Sequence, residues 1–305
     1  MTQLGIMIEG QEGLNWERWR RICSDTERLG FASLRRSDHL ISLMGPENSE
    51  RDCIECWTSL GLAAEWTKRI EIGPMVSPMT FRFPSVLAKI AASVDSLAEG
   101  RLILGVGAGW NENEHQIYGI PFLTQKGRFD LLEDGIPAMF EIWKKTNPKP
   151  HRNPIPILIG GKGSKRTLPL AAKYAAEWNL SRLDADEFRE RSDILDRCCS
   201  EISRDPKTIK RSVMTSYIIG RDRSEQLERA AKVREVIPSL QGMKPEEVLE
   251  NRTGPWFVGT PEEVAARMRE LSNKLGIDLF MLQHFLLDDS EALELLGKEV
   301  LPAVA

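Results

Sequence analysis

The chain has 305 residues, of which 41% are hydrophobic and 28% charged, and its formal net charge is −4. This length admits two domains, but α/β barrels of similar size commonly fold as one domain. An ordinary composition with a small negative charge predicts no general attraction to nucleic acid or anionic membranes. We therefore predict one soluble domain over 1–305, with a small molecule as its substrate and without nucleic-acid or membrane partners.

The N-terminus and the cysteines indicate the compartment. Residues 1–13 contain no basic segment followed by a long apolar run, and no window of about 18 apolar residues occurs in the chain. The five cysteines are an odd number, which fits a reducing compartment better than a disulfide framework. We therefore expect a cytoplasmic protein.

Hydrophobic periodicity predicts strands and helices in regular alternation along the chain. The strand candidates are 4–8, 31–36, 70–76, 101–106, 155–159, 178–180, 212–219 and 277–285. The helix candidates are 16–29, 53–67, 84–97, 126–145, 168–175, 184–203, 223–236, 245–249, the segment after Thr260, and 287–300. Eight strands that alternate with helices predict a (β/α)₈ barrel, in which ligands bind at the carboxyl ends of the strands.

The most informative stretch is 69–115, where a helix joins two strands that end in residues unsuited to continue a strand. The first strand runs into Gly73 and Pro74, and the second runs into the glycine cluster GVGAGW. This cluster resembles a dinucleotide fingerprint, but Trp110 occupies the place of the third glycine, which disfavours a doubly wound fold. A backbone turn close to a ligand at the barrel mouth explains the glycines better.

A second glycine-rich segment, GGKGSK at 160–165, follows the strand candidate 155–159. Its glycines leave backbone amides exposed, a helix is predicted from about Ser164, and Lys162, Lys165 and Arg166 add positive charge. Amides at the start of a helix favour a phosphate, so this segment is a candidate phosphate loop. The alternative is an ordinary turn with solvated lysines.

Asp38 and His39 end the second predicted strand, at the position where a barrel places catalytic residues. His39 is the candidate acid or base because imidazole titrates near neutral pH, and the alternative is a structural pair that closes the strand. Cys53 and Cys56 have CxxC spacing inside a predicted helix, but no second pair accompanies them. Core packing is therefore favoured over zinc binding, and we predict no metal site.

Six segments together resemble the luciferase-like monooxygenase superfamily, and within it the oxidoreductases that depend on the deazaflavin coenzyme F420. They are LGIMIEGQEG, RSDHL, GPMVSPMTFRFPSVLAK, GRLILGVGAGWNENEHQIYGIPF, PILIGGKGSKRTLPLAAKYAAEWN and FVGTPEEVAARM. The likeness covers nearly the whole chain. It implies a single (β/α)₈ TIM barrel that binds a flavin-type ring at the carboxyl ends of its strands.

The resemblance also implies roles for individual residues. Asp38 and His39 would face the ring as catalytic residues, with His39 as proton donor or acceptor. Further contacts to the cofactor would come from Pro74, Met75 and Val76 behind the ring, from Ser77, Gly107 and Asn113 beside it, and from Gly160, Gly161, Lys162 and Gly163 at the phosphate.

Two features of the backbone and the assembly follow from the same resemblance. The bulge behind the ring would contain a non-prolyl cis peptide at Pro74–Met75. Members of the family commonly pair barrels through early helices, and Trp16, Trp57 and Trp66 would supply the aromatic surface for a homodimer.

Two departures from the family pattern bear on the ligands. Trp110 stands where sugar-phosphate dehydrogenases of the family carry an acidic residue, which argues against such a substrate. The segment between Trp143 and Ile155 is shorter than usual and carries several basic residues, so we expect an open, basic mouth that admits the long acidic tail of F420. Those basic residues are Lys144, Lys145, Lys149 and Arg152.

The leading hypothesis is hydride transfer between F420 and a small organic substrate, with His39 managing the proton. An FMN-dependent monooxygenase that uses oxygen is the first alternative. A non-catalytic barrel that binds a flavin or deazaflavin is the second, since a fold can persist without turnover.

Overall fold

The structure is a computed structural model that describes residues 2–43, 50–250 and 256–304. Its strands are β1 (Gln3–Ile8), β2 (Ser33–Arg36), β3 (Glu71–Pro74), β4 (Ser77–Pro78), β5 (Leu104–Gly107), β6 (Ile157–Gly160), β7 (Ala175–Ser181), β8 (Lys210–Ile219), β9 (Phe257–Gly259) and β10 (Leu279–Gln283). Its helices are α1 (Trp16–Leu29), α2 (Cys56–Trp66), α3 (Pro84–Leu97), α4 (Glu112–Ile117), α5 (Gln125–Lys145), α6 (Thr167–Tyr174), α7 (Ala185–Glu201), α8 (Arg223–Val236), α9 (Pro245–Glu250), α10 (Pro261–Leu275), α11 (Ser290–Leu295) and α12 (Leu301–Val304).

The strands form one sheet in the order β3-β2-β1-β10-β8-β7-β6-β5-β4, and the pairings along it are parallel. A parallel bridge between Ile72 and Leu102 joins the two ends of this path. β3 and β4 act as one barrel strand in two pieces, because β3 pairs with β2 while β4 pairs with β5. Eight barrel strands result, with β9 added beside β8, and the predicted (β/α)₈ barrel is confirmed.

Local signals in the sequence set the ends of several helices. Asn15 caps α1 by accepting the backbone N–H of Arg18, and Gly30 ends it in the left-handed region at φ 82°. α10 begins with the predicted capping box, in which Thr260 and Glu263 satisfy each other's backbone amides. These caps orient the helices that cover the barrel.

The barrel interior contains a buried ion pair in addition to its apolar core. Arg35 of β2 donates from both terminal nitrogens to the Glu177 carboxylate of β7, at 2.7 Å each. Ser33 and Ser212 complete the hydrogen bonds of the pair. Because both charges are desolvated, removal of one partner would leave an uncompensated buried charge, so the pair fixes how β2 faces β7.

Two local predictions differ from the structure near the active end of the barrel. Helix α2 begins at Cys56 rather than Cys53, and Glu55 caps it by accepting the N–H of Thr58. Helix α4 was not expected, because its six residues are mostly polar and show no apolar periodicity. Its start is capped by Asn111, which accepts the N–H groups of Asn113 and Glu114.

The connection between α5 and β6 lies at the amino ends of the strands, so the expectation of a basic active-site mouth there is wrong. Arg152 donates to the carbonyl of Leu102, which precedes β5, and its N–H donates to Asp95 of α3. Lys149 donates to the carbonyl of Trp143. A connection from a helix into a parallel strand always enters at the amino end of that strand, away from the ligand-binding face.

The three tryptophans expected to form a dimer surface are placed differently from one another. Trp57 is 4% exposed and belongs to the core. Trp66 is partly buried, and the guanidinium carbon of Arg20 lies 4.6 Å from the centroid of its ring. Trp16 is 43% exposed. The aromatic argument for pairing therefore rests on one residue, and the homodimer stays a prediction.

Within the described ranges, no helix combines the length and the apolar character that crossing a membrane requires.

Candidate active site

A cavity of about 630 Å³ lies at the carboxyl ends of the strands. Its walls come from β7, β8 and β10, from the segments that follow β1, β2, β3, β5 and β6, and from the first turns of α5. Among the predicted site residues, those that line it are Asp38, His39, Met75, Val76, Gly107, Gly160 and Gly161. This volume and placement suit a small-molecule site at a barrel mouth.

One wall of the cavity is formed by closely packed backbone. A side chain at Gly107 would place its Cβ 2.7 Å from Val76 Cγ2, and Gly161 has φ +119°. Gly160 lies against the same valine, with 3.4 Å for its hypothetical Cβ. The wall therefore requires glycine at Gly107 for space and at Gly161 for its backbone angle, so backbone atoms face the cavity at these positions.

The cis peptide in this wall is Met75–Val76, so the prediction of Pro74–Met75 is wrong by one residue. The Met75 N–H donates to the carbonyl of Arg36 at 2.7 Å, which continues the pairing with β2 through Met75. The chain changes neighbours only afterwards, when Ser77 pairs with Val106 of β5. The irregular bond lies where the pairing changes from one neighbour to the other.

His39 is hydrogen-bonded to a carboxylate that the sequence did not reveal. Its Nδ1 lies 2.9 Å from Glu114 Oε2, and Glu114 also accepts the N–H of Leu40 at 2.7 Å. Glu114 is 1% exposed, whereas the His39 side chain is 16% exposed. Burial alone lowers the pKa of His39, but the hydrogen bond and charge of Glu114 outweigh it and raise the pKa above its usual value.

Asp38 is also at the cavity, but its carboxylate is occupied by the protein. Arg82 donates to both of its oxygens, at 2.6 and 3.2 Å, and the Ser77 hydroxyl donates at 2.6 Å. Ser77 in turn accepts from the indole N–H of Trp57 at 3.0 Å. Burial raises the pKa of Asp38, and Arg82 and Ser77 oppose that rise. Asp38 and Ser77 therefore fix the end of β2 next to His39.

The candidate phosphate loop precedes α6, which begins at Thr167 rather than near Ser164. No side chain caps this helix start, but the N–H of Leu168 donates to the Gly163 carbonyl at 3.0 Å and Pro169 has no N–H, so few amides of the first turn can meet an anion. The basic residues of the loop are mostly engaged elsewhere: Lys162 pairs with Glu187 at 2.8 Å, and Arg166 pairs with Asp130 and Glu133 of α5. Gly163 packs on Thr167, and Lys165 is exposed.

Asn113, predicted to contact the cofactor, is exposed on α4 and does not line the cavity. Its neighbour Glu114 faces inward instead. A cap at Asn111 marks the start of a helix, but it does not indicate which side chain of that helix faces the cavity. The contact with His39 spans 75 residues and has no local signature.

The other histidines have different surroundings. His115 is buried, with its Nδ1 2.6 Å from the Asn111 carbonyl and its Nε2 2.8 Å from the Thr80 hydroxyl, so both ring nitrogens are engaged by the protein. His284 is buried with its Nδ1 2.6 Å from the Tyr217 hydroxyl, and burial lowers its pKa to about 4. His39 is therefore the histidine that combines a raised pKa with a position on the cavity.

The chain resembles proteins that use either of two related cofactors. The F420-dependent glucose-6-phosphate dehydrogenase of Amycolatopsis mediterranei is 32% identical over 166 residues, which is 49% of this chain and 47% of that protein. The FMNH(2)-dependent dimethylsulfone monooxygenase of Pseudomonas putida is 24% identical over 331 residues, covering 93% of this chain and 87% of that protein. The chain spans about half the length of the first curated relatives it matches.

Structural similarity supports the fold over the full length. An F420-dependent secondary alcohol dehydrogenase in complex with an F420-acetone adduct superposes with a TM-score of 0.81 at 18% identity, and the match covers 100% of this chain and 99% of that one. The model of the luciferase-like monooxygenase family matches residues 2–279. The protein therefore belongs to the luciferase-like monooxygenase family, whose relatives include F420-dependent and FMN-dependent enzymes.

Proposed function

We propose that this chain is an F420-dependent oxidoreductase that interconverts a small organic carbonyl compound and the corresponding alcohol. The observation that carries the proposal is the His39–Glu114 hydrogen bond of 2.9 Å at the edge of the cavity. The raised pKa of His39 favours its protonated form, and a carbonyl oxygen needs a proton when its carbon receives a hydride.

The cavity fits a flavin-type ring on one side. Gly107, Gly160 and Gly161 would leave room for the ring, and the cis bulge at Met75–Val76 would lie behind it. The backbone of the glycine-rich loop 160–163, which precedes α6, would hold the phosphate. When bound, a deazaflavin supplies a carbon that carries hydride and reacts poorly with oxygen.

The residues of the chain position and move the proton. Glu114 holds Nδ1 of His39, which leaves Nε2 as the nitrogen for proton exchange with a substrate oxygen. The ring of Trp110 meets the His39 ring edge-on at 5.8 Å between centroids and limits its rotation. Asp38, held by Arg82, fixes the backbone that precedes His39. The imidazole is thus oriented before a substrate arrives.

The identity of the substrate is constrained by Trp110. It is 67% exposed at the cavity edge, and the resemblance implies that it stands where sugar-phosphate dehydrogenases of the family carry an acidic residue. The solved secondary alcohol dehydrogenase carries an F420-acetone adduct, which supports a simple ketone or secondary alcohol as the reacting group. An FMN-dependent monooxygenase is the second candidate, because the Pseudomonas putida relative aligns with 93% of the chain.

Cofactor titration and an oxygen test separate the two candidates. Purified protein is titrated with F420 and with FMN by fluorescence, and oxidation of the reduced cofactor by a ketone panel is followed with and without oxygen. We expect tighter binding of F420 and ketone-dependent oxidation that does not need oxygen. Tighter FMN binding together with oxygen consumption would overturn the proposal in favour of the monooxygenase. Cofactor binding with no turnover under either condition would favour the non-catalytic barrel.

A further inference from the structure

The wall of the cavity opposite the glycines contains a carboxylate held by two amide side chains. Glu9 follows β1, and its Oε1 accepts from Gln283 Nε2 of β10 at 2.8 Å. Its Oε2 accepts from Gln11 Nε2 at 3.1 Å. Glu9, Gln11 and Gln283 all line the cavity. Each oxygen of the Glu9 carboxylate thus accepts a hydrogen bond from a neutral side-chain amide.

The two amides are themselves fixed by hydroxyl groups. Ser216 donates to Gln283 Oε1 at 2.9 Å, and Ser37 donates to Gln11 Oε1. Because both amide oxygens accept from hydroxyls, both NH₂ groups face Glu9, which as a carboxylate only accepts. The backbone of Gly10 is held in addition by its N–H bond to Ser37 at 2.9 Å. The orientation of the Glu9 carboxylate is therefore set before any ligand binds.

Glu9 acts on His39 through its charge but forms no ion pair within the described residues. Among residues 2–43, 50–250 and 256–304, no lysine, arginine or histidine forms an ion pair with it, whereas Glu12 on the same loop pairs with Arg51 at 2.9 Å. A carboxylate has about four lone-pair positions, and the two amides use two of them. Two acceptor positions remain for a ligand that brings its own hydrogen-bond donors.

Glu9 lies near the proton-transfer residue. Its charge contributes to the raised pKa of His39, and both residues line one cavity. Phe285 and Met214, which line the same side, give the surroundings an apolar character. A ligand with its reacting oxygen at His39 would therefore present another part of its structure to Glu9 across an apolar space.

We propose that Glu9 is the specificity-determining residue of this cavity and selects substrates that carry an ammonium or hydroxyl donor away from the reacting carbon. Substrates with a carboxylate or phosphate at that position are rejected, because their charge would meet an oriented, unpaired anion. This proposal rests on the proposed function in one respect, namely that the reacting carbon of the substrate lies next to His39.

Four ring ketones of similar size test the proposal by binding alone: cyclohexanone and its 4-amino, 4-hydroxy and 4-carboxy derivatives. Their dissociation constants are measured by ligand-observed NMR on the cofactor-free protein, on Glu9→Gln and on Glu112→Gln. Glu112 is exposed on α4, so the control removes the same charge outside the cavity. Failure of the cofactor titration would overturn the proposed function without affecting this measurement.

We expect the wild type to bind the amino or hydroxy derivative at least tenfold more tightly than the carboxy derivative. A large preference for the amino derivative identifies a cationic substrate, and an equal or larger preference for the hydroxy derivative identifies an alcohol. Glu9→Gln should reduce the preference at least fivefold, and Glu112→Gln should leave it unchanged. Equal affinities, preference for the carboxy derivative, no binding of any probe, or a preference that survives Glu9→Gln would overturn the proposal.

Discussion

The two walls of the cavity are built in different ways. The wall formed by β3 to β6 presents backbone, with glycines where Val76 leaves no room for a side chain. The opposite wall, from the segment after β1 and the end of β10, presents side chains that hold each other, with Glu9 at their centre. A backbone surface leaves room for a ring that is common to a whole family, whereas a side-chain network suits discrimination among substrates.

This difference separates the expected effects of mutation. Changes in the glycine wall should act on cofactor affinity, because they alter the shape of the surface that receives the ring. Changes at His39 and on the opposite wall should act on turnover and substrate choice, because those side chains meet the reacting molecule. The predictions below test this division, from the largest expected effect to the smallest.

His39→Ala should lower turnover by about 10² to 10⁴-fold while F420 affinity stays within about threefold of the wild type. The reason is that imidazole supplies the proton, whereas the backbone wall receives the ring. Steady-state kinetics and fluorescence titration measure the two quantities separately. His151→Ala is the matched control, since His151 lies at the amino end of the barrel, in the connection between α5 and β6. Equal losses of affinity and turnover would make His39 a binding residue.

The second prediction concerns acid stability behind the side-chain wall. His284 is buried, and its pKa is lowered from 6.5 to about 4 because burial penalises its charged form. The charged and titratable groups around it are Tyr217, Arg229, Asp289, Arg21, Asp25 and Asp288. Between pH 6.5 and pH 4 the unfolded chain binds a proton at His284 that the folded chain does not bind. The free energy of unfolding is therefore unaffected by His284 above pH 6.5 and decreases as pH falls from 6.5 towards 4. The loss is on the order of 3 kcal/mol.

His284→Asn tests this contribution, because an amide oxygen can accept from Tyr217 without titrating. Urea unfolding of both proteins at several values between pH 7 and pH 4 gives the free energy of unfolding. The wild type should lose more stability than the variant over this range. Parallel curves for the two proteins would show that His284 does not titrate in this window.

Glu114→Gln should lower the pKa of His39, because burial then acts without the opposing carboxylate. His39 is protonated below its pKa, so the rate of carbonyl reduction should begin to decrease at a lower pH in the variant. At neutral pH the rate of the variant should be about tenfold lower than that of the wild type. Alcohol oxidation needs the neutral ring, so its rise with pH should move to lower pH as well. The pH profiles of kcat/KM in both directions measure the shift. Unchanged profiles would mean that Glu114 does not control the proton.

The same contrast explains which parts of the molecule the sequence could predict. The barrel follows from strand and helix periods, and the glycine wall follows from motifs in which neighbouring residues act together. The His39–Glu114 and Glu9–Gln283 contacts join residues 75 and 274 positions apart, so no local pattern contains them. The position of the cis bond depended on how far the pairing with β2 continues. The place of the α5–β6 connection follows from the topology of the barrel, and its basic composition carries no information about that place.

The smallest expected effect concerns the charge beside the phosphate loop. Lys162 and Arg166 already have acidic partners, so the exposed Lys165 is the basic residue of the loop most available to the acidic tail of F420. Lys165→Gln should weaken F420 binding by at most about fivefold, and the difference should shrink as salt rises, because exposed charges are screened. Lys145→Gln removes the same charge at the amino end of the barrel and should leave the affinity unchanged. FMN has no acidic tail, so its affinity should respond less to Lys165→Gln than that of F420. Fluorescence titrations at low and high salt measure these affinities; an equal response to both lysine variants would place the tail away from the phosphate loop.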